Sequence, residues 1–318
     1  MRITRDTRIL DAEPLRPFAR FLMYKVNLHG RPAEELSIGE MCEGQATWDA
    51  DTMVRGANRL LTLAERGQVM WDVYPSEERG DDPEKADIKL LYMPAEQQPS
   101  DKPFVVGVSG GGFHCVCSLE ETVPVAARLN ALGYNMFIFN YRCGQTPLFP
   151  KPLDDLAAAI RLILENREAF GVVNTEYIVN GYSAGGNLTA LWGTEAFGWA
   201  HYGLPRPRAL FPIYAPISLD AQRDNPWKAE TRRATYGGVD YDVPRHFTDR
   251  YPPCYIVHAK DDPAVPVRNG EWLRELLEAR GIPAALELIE TGGHGWGDGS
   301  GTDAAGWPDR AAAFERGL

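Results

Sequence analysis

Long apolar runs are missing from this 318-residue sequence, and no uninterrupted stretch approaches the roughly 18 residues that a membrane-spanning helix needs. The opening MRITRDTRILDAEPLRPFARF also lacks the apolar centre of a secretion signal. Cysteine is scarce: Cys42, Cys115, Cys117, Cys143 and Cys254 are odd in number and irregular in spacing. That argues against a disulfide framework and for reduced thiols, so the sequence predicts a cytoplasmic protein. Positive charge is in deficit. With 33 Lys and Arg against 44 Asp and Glu, the formal charge is −11, so neither nucleic acid nor an anionic membrane is an expected partner, both of which require a basic face. No repeat, low-complexity tract or Gly/Ser linker divides the chain. A single domain over 1–318 is the simplest expectation.

What is present is an alternation. A polar N-terminal arm leads into residues 49–66, whose apolar positions recur at helical spacing before Gly67, so 1–66 reads as an arm plus an accessory helix. The runs VMWDVYP (69–75) and IKLLYMP (88–94) flank a charged stretch containing Gly and Pro, the layout of an antiparallel hairpin. From Phe104 the strands FVVGV, MFIFNY, YIVNGY, ALFPIYAPI, CYIVHA and AALELIE are separated by helical segments. These are predicted from the glycine loop to Leu132, over 153–170, after Ser183, over 268–280 and around 303–316. Strands alternating with helices imply right-handed crossovers, and hence an α/β fold with a mainly parallel sheet of about eight strands flanked by helices. Residues 218–250, rich in charges and aromatics, break the rhythm and read as a small cap insertion.

The chemistry concentrates at the ends of these strands. YIVNGY runs into Gly181, Tyr182, Ser183, Ala184 and Gly185, a G-x-S-x-G at a strand-to-helix turn, where a strained backbone exposes the serine and glycines let strand and helix approach. Ser183 is the candidate nucleophile. CYIVHA ends in Asp261 and Asp262. Asp262 is the candidate acid because the following Pro-Ala-Val-Pro forms a rigid turn that can hold it, while Asp261 is its competitor. AALELIE is followed by Thr291, Gly292, Gly293, His294, Gly295 and Trp296, which places a candidate base, His294, on a glycine loop. FVVGV is followed by Ser109, Gly110, Gly111, Gly112 and Phe113. The N–H groups of Gly111 and Gly112, with that of Ala184, are candidate oxyanion donors. A phosphate cradle is disfavoured, since neither the P-loop Gly-Lys-Ser/Thr nor the dinucleotide G-x-G-x-x-G spacing is present.

Taken together, SGGGF, NYR with FPKPLDDL downstream, GYSAGG, IYAPISL, PPCYIVHAKDDPAVPV and GGHGW resemble the α/β-hydrolase superfamily, in its acetyl xylan esterase and carboxylesterase group. The order Ser183, Asp262, His294 is the one that fold uses. The resemblance implies an α/β-hydrolase fold, Ser183 as nucleophile, Asp262 as acid, His294 as base, and Gly111, Gly112 and Ala184 as the oxyanion hole. It also implies cleavage of short acyl groups, such as acetyl, from a carbohydrate, so the expected partner is a small-molecule or oligosaccharide ester. It departs at Ser109, where the family usually has histidine, and residues before about Asp49 match none of its motifs.

Other residues invite a role. Phe113, Tyr182 and Trp296 are the candidate substrate-binding side chains, although Tyr182 and Trp296 could equally pack in the core. His114, Cys115 and Cys117 lack a second ligand pair at zinc-site spacing and begin a predicted helix, so no metal is expected, nor any cofactor. His114 is expected to be hydrogen-bonded locally, and Cys143 has no second histidine loop to activate it. Asp154 and Asp155 fit capping and helix-dipole roles. An amidase or exopeptidase of the same fold, or a non-catalytic binding homologue, is the alternative. Too few residues precede Phe104 for the propeller that related peptidases often carry, and a binding homologue would often have lost the acid or histidine.

Overall fold

A computed structural model describes the backbone of residues 2–218, 220–222 and 226–318, with side chains for all of these except 222 and 226–229. Its centre is an eight-stranded sheet of β1 (Met70–Asp72), β2 (Lys89–Met93), β3 (Phe104–Val108), β4 (Met136–Phe139), β5 (Tyr177–Tyr182), β6 (Ala209–Ile213), β7 (Cys254–Ala259) and β8 (Ala284–Ile289). The spatial order is β8-β7-β6-β5-β3-β4-β2-β1. β1, β2 and β4 pair antiparallel, and every pair from β4 through β3 to β8 is parallel, as the hairpin and the alternation of the sequence predict.

Period-two side-chain alternation divides the core between the two faces of the sheet. Val105, Met136, Ile138 and Ile178 point to one face, where they meet α1 (Ala50–Ala64), α2 (Thr122–Ala131) and α7 (Trp307–Arg316). Phe104, Val106, Phe137 and Val179 point to the other, where they meet α3 (Lys151–Glu165), α4 (Ser183–Trp192) and α6 (Arg268–Glu278). α5 (Pro226–Thr235) lies in the expected cap segment, of which residues 219 and 223–225 lie outside the described residues.

Two sequence expectations change here. The helix expected straight after the glycine loop begins only at Thr122, because Val116–Cys117 forms a two-residue antiparallel pairing with Met23–Tyr24. The N-terminal arm, polar on average, also carries buried anchors. Ile3, Ile9, Leu15, Leu22, Ile38 and Met41 are all buried against α1 and its neighbours, and a polar average composition hides these isolated anchors. Among the described residues no helix is long and apolar enough to cross a membrane.

Candidate active site

Where β5 meets α4, Ser183 takes φ +50°, a left-handed conformation that costs a non-glycine residue roughly 1–3 kcal/mol and turns its side chain out of the sheet. Only glycine fits around it. A Cβ at Gly181 would stand 2.2 Å from Thr189 Oγ1, and one at Gly185 would stand 2.1 Å from the Val108 carbonyl.

The loops after β7 and β8 converge on this turn. His294 Nε2 lies 2.8 Å from Ser183 Oγ, and His294 Nδ1 lies 2.7 Å from Asp262 Oδ2. Asp262 Oδ1 accepts the N–H groups of Ala264 and Val265, both at 2.8 Å, so the rigid turn does hold the carboxylate. Burial of Asp262 favours its neutral form, but hydrogen bonds from His258 and His294 outweigh that and hold the carboxyl down at about 2. An ionised carboxylate only accepts, so Nδ1 carries the proton and the Nε2 lone pair faces the serine hydroxyl. Asp261 turns away, accepting the N–H groups of Gly292 and Gly293 at 3.0 and 2.8 Å.

The glycine loop that carries the candidate oxyanion donors is held from below. Ser109 Oγ and Thr122 Oγ1 are 2.9 Å apart and buried. The Glu121 carboxyl accepts the Gly110 N–H and, at 3.0 Å, the Tyr214 hydroxyl. Burial raises this carboxyl to about 7, partly offset by those two hydrogen bonds. Gly111 and Gly112 follow at φ +132° and +63°, and Ala184 is the second residue of α4, where N–H groups have no acceptor within the helix.

Ser183 and His294 open into a cavity of about 630 Å³ that also touches Gly111, Gly112, Phe113 and Ala184. A second cavity of about 660 Å³, lined by Arg206, Arg208 and Phe314, contains none of these residues. Of the three candidate substrate-binding rings only Phe113 lines the active-site cavity. Tyr182 is fully buried on the opposite face of β5, donating to Asn180 Oδ1 at 2.7 Å and packing on Tyr214 and Trp307. Trp296 is 3% exposed and edge-on to Tyr214, 4.7 Å away. Both rings are corrected to core roles, because period two on β5 sends Tyr182 away from the elbow and the loop after His294 folds Trp296 inward. His114 is exposed at the cavity, and its ring makes no hydrogen bond among the described residues, contrary to the local partner expected for it. Burial pushes the Cys143 thiol up to about 12, which leaves it inert at neutral pH. Asp155 does not cap its helix: its buried carboxylate binds Arg142 and Tyr74.

Sequence reasoning missed three groups. His258 is fully buried, donates to the Val265 carbonyl at 3.0 Å and backs Asp262 at 3.5 Å. The Tyr214 ring stacks edge-on to His294 at 4.8 Å. Thr47 of the arm shares its hydroxyl proton between the carbonyls of His294, at 2.6 Å, and Gly295, at 2.7 Å. His258 stands four residues before the acid, a visible signal, but nothing local marks Thr47 as belonging to a loop 247 positions away.

Comparison with known proteins points the same way. A family model described as BD-FAE matches residues 90–198. The acetylxylan esterase of Xylanibacter ruminicola is 26% identical over 221 residues, covering 66% of this chain and 44% of that protein. Endo-1,4-beta-xylanase B of Butyrivibrio fibrisolvens is 26% identical over 66% of this chain and 35% of its own, so the chain spans less than half the length of either relative. The crystal structure of an acetyl ester-xyloside bifunctional hydrolase from Caldicellulosiruptor lactoaceticus superposes with a TM-score of 0.64 at 24% identity, covering 78% of this chain and 94% of that one. The strand order, the strained serine turn and these likenesses give the chain the α/β-hydrolase fold, with a sequence similar to that of an acetylxylan esterase.

Proposed function

We propose that the protein hydrolyses carboxylic esters through an acyl-enzyme on Ser183. The reading rests on one observation, the unbroken chain from Ser183 Oγ to His294 to Asp262 at 2.8 and 2.7 Å. His294 Nε2 takes the serine proton as Oγ adds to the ester carbonyl, then delivers it to the departing alcohol oxygen. A water molecule repeats the cycle on the acyl-enzyme and releases the acid. Asp262, ionised throughout, fixes the imidazole and stabilises its cationic form. The N–H groups of Gly111, Gly112 and Ala184 receive the negative charge on the former carbonyl oxygen.

The substrate proposed is a short acyl ester, acetyl in the first instance, on a carbohydrate. Its support is the acetylxylan esterase likeness, together with Phe113, which lines the cavity next to Gly112. Turnover of 4-nitrophenyl acetate, butyrate and octanoate tests both parts. Ser183→Ala is expected to lose about a million-fold in kcat, and acetate is expected to exceed octanoate. Equal rates for wild type and Ser183→Ala would remove the serine from the mechanism, and a preference for octanoate would remove the acetyl assignment.

A further inference from the structure

One carboxyl in the cavity has no use in that mechanism. Glu120 is only 5% exposed, lines the same cavity as Ser183, and makes no side-chain hydrogen bond among the described residues. Other buried carboxyls have partners: Asp155 has Arg142 and Tyr74, Glu121 has Gly110 and Tyr214, Glu315 has Tyr134 and Arg208, and Asp242 pairs with Arg245 at 3.5 Å. A carboxyl this close to fully buried and without a hydrogen bond calls for an explanation, and the open space it lines is the cavity of Ser183.

Its position relative to the reacting atoms is informative. The departing alcohol must take its proton from His294, so the alcohol half of the substrate extends along the His294 loop. Glu120 lies against that loop: a Cβ at Gly297 would stand 3.1 Å from Glu120 Oε1. The arm closes the same side, where Thr47 binds the His294 and Gly295 carbonyls and the half-buried Trp48 and Gln45 line the cavity. Gly111, Gly112, Ala184 and Phe113 line another part of the cavity, and Pro216, Arg232 and Val265 a further part.

We propose that Glu120, with Trp48, forms the subsite for the alcohol half of the substrate and binds neighbouring hydroxyls of a sugar ring. Burial, with Glu121 and Asp298 nearby, holds the Glu120 carboxyl well above the usual carboxylate range. A neutral carboxyl presents one donor and one acceptor side by side, which matches a pair of adjacent hydroxyls, while the face of an indole ring complements the C–H surface of a pyranose. The inference rests on the esterase reading of the same site.

Two substrates separate the effects: 4-nitrophenyl acetate, whose leaving group has no hydroxyls to bind, and a mono-O-acetylated methyl xyloside, which keeps free hydroxyls beside the ester. Glu120→Leu is expected to lower kcat/KM on the xyloside about tenfold or more, chiefly through KM, while 4-nitrophenyl acetate stays within threefold of wild type. Glu120→Gln, whose amide keeps both a donor and an acceptor, is expected to restore most of the loss. Should Glu120→Leu fail to fold, Trp48→Ala carries the same substrate-selective expectation. Equal losses on both substrates, or no loss on the xyloside, would overturn the subsite. Ser183→Ala in the same assays distinguishes the two proposals, because turnover surviving there counts against the nucleophile and not against Glu120.

Discussion

Two adjacent carboxylates at the end of β7 show how one position decides a role. Asp262 faces the imidazole, while Asp261 ties down the glycines that precede it. Asp262→Asn is expected to lower kcat roughly ten-thousand-fold, because an amide favours the wrong imidazole tautomer. Asp261→Asn retains an acceptor oxygen for the Gly292 and Gly293 N–H groups and should stay within about tenfold of wild type, since only the charge on a partly exposed bond is lost. Steady-state rates on 4-nitrophenyl acetate compare the two directly, and the reverse ranking would reassign the acid. The residues of this charge-bearing chain were readable from sequence because each sits at a strand end with distinctive neighbours. Tyr182 and Trp296 were not, since whether a ring faces a cavity or the core depends on which side of a strand or loop it leaves, and adjacency to a catalytic residue carries no such information.

At the level of elements, sheet strands and crossover helices follow closely from hydrophobic period and glycine placement, with β5 and β7 falling on YIVNGY and CYIVHA themselves. The N-terminal arm did not, because its buried anchors are spaced through irregular backbone with no period to detect. Its segment 45–48 nonetheless clamps the histidine loop, in which Gly293, Gly295 and Gly297 all adopt positive φ and offer little stiffness of their own. Thr47→Val keeps the shape of the side chain and removes the hydroxyl. It is expected to reduce kcat about five- to tenfold with KM nearly unchanged, and Thr47→Ser should recover most of the rate. A change confined to KM would mean that the arm shapes the cavity without steadying His294.

For the whole molecule, the buried carboxyl of Glu121 links stability to pH. Its value in the fold, about 7, stands above the ordinary 4.5, so between those limits the unfolded chain releases a proton that the folded chain keeps. Stability therefore falls as pH rises through that window and levels off above 7, by about 3 kcal/mol for an isolated group. Glu121→Gln should flatten the decline, which urea midpoints at pH 5 and pH 8 would reveal, although Glu120, held protonated beside it, keeps part of the slope. An unchanged difference between the two midpoints would show that Glu121 is ionised at both.

The bond from Thr47 to the His294 loop spans 247 positions of sequence, and contacts this remote form only after much of the chain between them has been ordered. The strained turn of Ser183 ends a middle strand of the sheet, whereas the candidate base it faces follows the edge strand β8 and is held by Thr47 of the N-terminal arm. His294 follows Ser183 by 111 positions, so during synthesis the serine is made well before the histidine it faces, and the proposed hydrolysis requires both in place.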